Sequence, residues 1–281
     1  MNYEIRRPRK SLDLYIDSIW VQEDLRNAAF ENYHPTRVIP RGAIELLFHY
    51  RDPYVHIEEG RAELEPKFYI SGQKTRPIEV SATGQTGIII VNFHPWGAAP
   101  FFGFPLDELT DTSLQMNLVM RTDTIENRVQ EASGTAARVE IIQDFLAGVL
   151  DVDRRDELVM ESVHKINRSQ GNVSIGKIAD DLQISRRQFL RRFSRNIGMS
   201  PKAFANVIRF QKASYYKRQG MDWSEITFRC GYYDQAHFIN ELRRFSGLSA
   251  KNFSPKRPLT KLGHHFSSGR KASHFYNTTY L

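Results

Sequence analysis

The sequence predicts a two-domain α+β protein. An N-terminal β-rich barrel with helices after it is followed by an all-α region, in which two helix-turn-helix units are joined by a linker helix. Three observations lead there. Residues 15–110 hold short β-prone runs separated by dense Gly and Pro punctuation. Beyond about Thr110 the apolar spacing becomes helical. A stretch of twenty residues then recurs, altered, 49 positions later.

A length of 281 residues suits two domains, each large enough for its own core. The net charge is +7, but it is spread unevenly: residues 156–281 carry +13 and residues 1–155 carry −6. A basic half on an acidic half fits a polyanion-binding module attached to a different domain. The single cysteine, Cys230, excludes an internal disulfide and points to a reducing, cytoplasmic setting. The first ten residues lead into no apolar signal-peptide core, and the most apolar window, 87–93, is too short to cross a bilayer. A soluble protein with no membrane partner is therefore expected.

Strands are expected at 68–70, 78–81 and 87–93; the last, GIIIVNF, is apolar on both faces, as in a buried strand. Residues 43–50 are less regular, because Glu45 and His49 interrupt the apolar run. Short strands at this spacing suggest a compact barrel or jelly-roll-like sandwich. Thr122 or Asp123 is placed to cap a helix reaching about Ala132. A second helix at 135–150 carries Val139, Ile142, Phe145, Leu146 and Val149 on one stripe. The acidic and basic string 151–156 divides the chain into 1–153, a sensor or dimerisation domain, and 154–256, a DNA-binding domain, with a flexible basic tail at 257–281.

Setting 185–204 (SRRQFLRRFSRNIGMSPKAF) against 234–253 (DQAHFINELRRFSGLSAKNF) aligns Phe189 with Phe238, Arg195 with Arg244, Gly198 with Gly247, Ser200 with Ser249, Lys202 with Lys251 and Phe204 with Phe253. Each copy reads as a short helix (174–182 or 223–230), a tight turn, a capping Ser185 or Asp234, and a second helix. Phe189 and Phe193, like Phe238 and Leu242, stand four apart and face inward. Ala179 and Thr227 are small enough for close helix approach. The outer face of the first unit's second helix then carries Arg186, Arg187, Gln188 and Arg191. Arg reads guanine bidentately in the major groove, and a helix N-terminus can hold a phosphate. Ser200-Pro201 opens a strut helix to about Arg218, stopped by Gly220 and about 27 Å long at the helical rise. A strut of that size suits two reading helices in successive major-groove turns, about 34 Å apart.

These residues resemble the AraC/XylS-type transcription regulators over roughly 158–255. The likeness is carried by 184–201 (ISRRQFLRRF…GMSP) and 231–253 (GYYDQAHFINELRRFSGLSAKNF). The resemblance implies a seven-helix domain with two helix-turn-helix units. Its base-reading positions fall on Arg187, Leu190 and Arg191 in the first unit, and on Gln235, Ala236 and Asn240 in the second, with His237 and Ile239 between them. Asn240 stands where the family usually has a basic residue and Ala250 where it has Pro, which implies weaker or altered contacts by the second unit. The N-terminal stretches 11–21 (SLDLYIDSIWV), 38–48 (VIPRGAIELLF) and 92–109 (NFHPWGAAPFFGFPLDEL) resemble a sensor-like domain of uncharacterised function found ahead of some of these regulators. In related proteins such domains are cupin-like barrels that bind a small effector or dimerise.

The partners expected are double-stranded DNA, a small-molecule effector, RNA polymerase and a second copy of the chain. No cofactor and no catalysis are expected. Trp96, Phe93 and Phe101, with Trp20, Phe102 and Phe104 near them, are the aromatic candidates for a ligand pocket or for β core. His34, His49, His56 and His94 form no tight His-x-His pair, so structural or surface histidines are expected rather than a metal site. Cys230 is expected to be a buried, inert thiol. A non-specific architectural DNA binder and a cupin-type metalloenzyme fused to a DNA-binding region are the alternatives.

Overall fold

A strand apolar on both faces needs cover on both sides, and the fold supplies it as a middle layer. The structure, a computed structural model, describes residues 2–25, 35–58 and 60–253. Ten strands run as β1 (Asn2–Arg6), β2 (Ile16–Asp24), β3 (Thr36–Val38), β4 (Glu45–His49), β5 (Tyr54–Glu58), β6 (Arg61–Leu64), β7 (Phe68–Ser71), β8 (Ile78–Ala82), β9 (Thr86–Phe93) and β10 (Ser113–Gln115). One sheet has the order β1-β2-β9-β4-β7-β10 and the other β3-β8-β5-β6. All these strand pairs are antiparallel.

All eight residues of β9 are buried. Because side chains alternate along a strand, Ile89, Val91 and Phe93 face one core with Ile19, Leu46, Phe48 and Ile70. Helices α1 (Asp123–Glu131) and α2 (Thr135–Val149) close that core with Ile125, Val129, Val139, Ile142 and Leu146. Ile88 and Ile90 face the other way, into a smaller core shared with Trp20, Leu47, Tyr69, Tyr54 and Val80 of the two sheets. The β-rich expectation holds, but closure into one barrel does not: among the described residues no ladder joins the two sheets, which stack as a sandwich. Strands β1, β2, β3, β5, β6 and β10 lie outside the runs picked from the sequence. β10 forms by pairing with β7, where a helical region had been expected to begin.

The all-α region has six helices among the described residues, against the seven that the family resemblance implies: α3 (Glu157–Arg168), α4 (Ile175–Asp181), α5 (Arg186–Ile197), α6 (Pro201–Arg218), α7 (Trp223–Arg229) and α8 (Gln235–Ser246). Each start has a side-chain cap, from Asp156, Ser174, Ser185, Ser200, Asp222 and Asp234 in turn. The equivalent glycines Gly198 and Gly247 end α5 and α8 in the left-handed conformation, at φ +89° and +69°. Phe189, Phe193, Phe204, Phe238, Leu242 and Phe245 fill one shared core.

The two regions are packed together. The turn after β9 carries Trp96 into the helical core, where its Nε1–H donates to Leu14 O at 3.0 Å. Trp96 stacks on His94 (5.1 Å between centroids) and lies 5.0 Å from the His164 ring of α3. A Cβ on Gly97 would fall 1.8 Å from Tyr15 O, the carbonyl that accepts the His94 N–H. Gly97→Ala is expected to destabilise the protein by about 1–3 kcal/mol through this overpacking, read as a lower denaturant midpoint with an unchanged slope.

Desolvation holds both histidines below their ordinary value of 6.5, against Asp17 and Asp13 near His94 and Glu161 near His164, which favour protonation; nearby Arg168 lowers His164 further. The unfolded chain therefore binds protons that the folded chain refuses. Their contribution to stability is full above pH 6.5 and falls as the pH drops towards the lowered folded values. Urea midpoints measured between neutral and mildly acidic pH should fall more steeply for the wild type than for His94→Gln; equal slopes would remove His94 from this account.

Candidate nucleic-acid interface

The repeat decides which side chains point outward. With Phe189 and Phe193 buried, Arg186, Arg187, Gln188, Arg191 and Arg195 stand exposed on α5, and Leu190 is half-buried. With Phe238 and Leu242 buried, Gln235, Ala236, His237, Asn240, Arg243 and Arg244 stand exposed on α8. Ile239, the repeat equivalent of Leu190, is likewise half-buried and packs on the helical core. The Gln188 side chain accepts the Ser185 N–H at 3.3 Å in a capping box, which ties up its carbonyl oxygen. The His237 ring meets Tyr232 edge-on at 5.5 Å.

Ion pairs separate anchoring charges from outward ones. Arg192 on α5 pairs with Asp156 at 2.8 Å, tying the helix to the start of α3. The equivalent position of α8 is Glu241, which pairs with Arg209 of α6 at 3.3 Å while Arg209 lies over the Tyr232 ring. Burial beside Glu241 pushes the Tyr232 phenol well above its ordinary range. Among the described residues Arg186, Arg187 and Arg191 take part in no ion pair, so their charges face solvent uncompensated. Phe228 and Tyr233 are 86% and 93% exposed beside these helices, and sequence reasoning missed both. The Gly231-Tyr232-Tyr233 turn held the signal for Tyr233: of two adjacent tyrosines in a tight turn, only one can point inward.

Of the two alternatives for the aromatic candidates, the structure gives core. Phe93 and Phe101 are fully packed in the core under α1 and α2, and Trp96 sits in the helical core. A cavity of about 450 Å³ opens instead between the two sheets, lined by Gln22, Arg41, Glu45, Leu47, Tyr69, Lys74 and Ile90 among others. Glu45 and His49 occupy β4 positions that face this side, which is why they broke the apolar run. Glu45 pairs with Arg41 at 2.6 Å, and His49 with Glu65 at 3.1 Å. Burial pulls the Lys74 ammonium down while Glu45, Glu65 and Asp111 pull it up, and its hydrogen-bond partner is Ser71 Oγ. His94 is held by Asp13 O and Trp96 rather than beside His49 or His56, and His34 lies outside the described residues. Among those residues no three metal-ligating side chains converge.

Residues 4–115 match the model of a domain of unknown function, and residues 178–255 match that of a helix-turn-helix domain. The chain is 31% identical over 102 residues to the HTH-type transcriptional regulator MtrA of Neisseria gonorrhoeae, covering 35% of this chain and 33% of that one. It is 33% identical over 86 residues to the HTH-type transcriptional activator RhaS of Escherichia fergusonii, covering 30% and 31%. The chain thus spans about a third of the length of the curated relatives it matches. A crystal structure of ToxT from Vibrio cholerae aligns over 89% of this chain and 97% of that one, at 9% identity and a TM-score of 0.43. The C-terminal region is a helix-turn-helix domain of the AraC type, preceded by a β-rich domain of unknown function. No helix among the described residues is long and apolar enough to cross a membrane.

Cys230 is buried at the end of α7, and burial pushes its thiol up to about 11. At neutral pH a thiol-specific reagent is expected to label it only at the rate at which the protein opens. Labelling of the native protein as fast as of a free thiol would contradict this.

Proposed function

We propose that the protein is a sequence-specific DNA-binding transcription regulator. In this reading α5 and α8 enter successive major-groove segments of one duplex face. Arg187, Leu190 and Arg191 read bases from the first unit, and Gln235, Ala236 and Asn240 from the second. Arg186, Gln188 and His237 lie at the groove edge, within reach of phosphates, which supply affinity while base edges supply specificity. The observation that carries this is the pair of repeat-related, capped helices, each presenting polar side chains to solvent, with uncompensated arginines concentrated on the first. The β-rich domain, proposed to extend to about residue 153, supplies control through a small molecule held in the cavity between the sheets, or through dimerisation. RNA polymerase is the partner proposed for the DNA-bound protein.

Selection of bound duplexes from a random library by the full-length protein, followed by footprinting, tests the reading. One enriched motif of two contacted segments is expected; protection of all sequences alike would leave only a non-specific binder. Arg187→Ala with Arg191→Ala should weaken binding to the selected site by about 1–3 kcal/mol per lost base contact. Gln235→Ala with Asn240→Ala should cost less and relax a different half of the motif. Unchanged footprints for both pairs would remove these residues from the reading.

A further inference from the structure

The two reading helices both end against the N-terminal domain, and at the same position of the repeat. At the end of α5, Ile197 O accepts Gln73 Nε2–H at 2.9 Å and Gly198 O accepts Thr110 Oγ1–H at 2.7 Å. At the end of α8, Ser246 O, the repeat equivalent of Ile197 O, accepts Arg37 Nη1–H at 3.4 Å. The last carbonyls of a helix lack intrahelical donors and form the negative end of its dipole. Here three side chains of another domain, one of them a guanidinium, supply what is missing. The fit is close at both ends. A Cβ on Gly198 would come within 3.0 Å of Gln73 Cγ, and one on Gly247 within 3.3 Å of Arg37 Nη1 and of Pro77 Cγ. Arg37 is itself held by Glu79 across the β3–β8 ladder. The strut between the units is held too, with Gln211 Nε2–H donating to Pro40 O at 3.0 Å.

The segments that hold the helices are also walls of the cavity. On β3, Arg37 reaches α8 and Val38 lines the cavity; between β7 and β8, Gln73 reaches α5 and Lys74 lines it; before β10, Thr110 reaches α5 and Asp111 lines it. The last two segments are tied to each other. Asp111 N–H donates to Gln73 O at 2.8 Å, and the Asp111 carboxylate accepts from Thr75 N–H at 2.6 Å. On β3 neighbouring side chains point to opposite sides of the strand, and in the other two segments the donor and the cavity residue are adjacent in the chain, so displacement of a cavity wall moves the donor beside it.

We propose that Arg37, Gln73 and Thr110 are positioning residues of a two-point clamp. The clamp sets where α5 and α8 stand relative to each other, and so the spacing of the DNA segments they read. It also couples the cavity wall to both helices. The proposal rests on the DNA-reading function above. Its test uses the motif selected by the full-length wild-type protein, rebuilt with one or two base pairs inserted or removed between its two contacted segments.

The wild type should lose about tenfold or more in affinity with each change of spacing, the scale of a mismatched base pair. The triple variant Arg37→Ala, Gln73→Ala, Thr110→Val should bind all spacings within about threefold of one another. Thr110→Val alone, the mildest change, should flatten the profile partly. Arg37→Lys, which keeps a cationic donor, should retain the wild-type profile. Hydrogen exchange gives the second readout, because coupling between sites is reciprocal. Binding of the selected duplex should slow exchange in 36–38, 71–78 and 110–113 in the wild type and not in the triple variant. A spacing profile shared by wild type and triple variant, or a DNA-induced change in exchange that survives in the variant, would overturn the clamp. Failure of the wild type to select any motif would instead overturn the DNA-reading function, and the clamp with it.

Discussion

The burial of β9 on both faces is the constraint from which the N-terminal architecture follows. A strand without a polar face needs a layer on each side, so the six-stranded sheet becomes the middle of a sandwich, with α1 and α2 on one side and the smaller sheet on the other. Side-chain alternation then sorts its neighbours: Leu46 and Phe48 go to the helices, while Glu45, Leu47 and His49 go to the gap between the sheets. Polar groups tolerated in that gap are paired, as Arg41–Glu45 and His49–Glu65 are, because a buried charge without a partner is costly. The same strand ends in the turn that delivers Trp96 to the helical core, so one apolar run organises both the cavity and the domain junction.

The helical region follows a second logic, duplication with divergence. The parts that make the unit fold are alike in both copies: a capping side chain, an inward aromatic, and a left-handed glycine at the end. The parts that tie each unit to its surroundings differ. Arg192 and Glu241 occupy the same position of the repeat with opposite charges, and each finds its counterion on a different helix. The outward faces differ as well, cationic on α5 and mainly amide and imidazole on α8 before its basic last turn. Two copies thus share one scaffold and carry two unlike surfaces.

Much of this was legible in the residues. The strut helix runs Pro201–Arg218 as its Ser-Pro start and Gly220 stop predict, because caps act locally and need no distant partner. The inward phenylalanines and the outward Arg186, Arg187 and Arg191 follow from helical periodicity alone. Ile239 shows where periodicity blurs: a position at the edge of an apolar stripe is half-covered, and which half depends on the neighbouring helix. Phe93 and Phe101 stay open between pocket and core in the sequence because they are apolar whichever layer they meet, and only the packing partners distinguish core from cavity.

The sequence by itself determined the helix ends of the C-terminal region and its two copies of the helix-turn-helix unit, since each of these rests on interactions within a few residues of the chain. The tertiary structure decided that the sheets remain a sandwich, that the cavity lies between them, and that α5 and α8 both end on the domain containing it. Those outcomes depend on pairings between residues far apart in the chain, such as Gln73 with Ile197 and Arg37 with Ser246. No local pattern encodes such pairings, because a carbonyl at a helix end accepts any donor the fold brings to it.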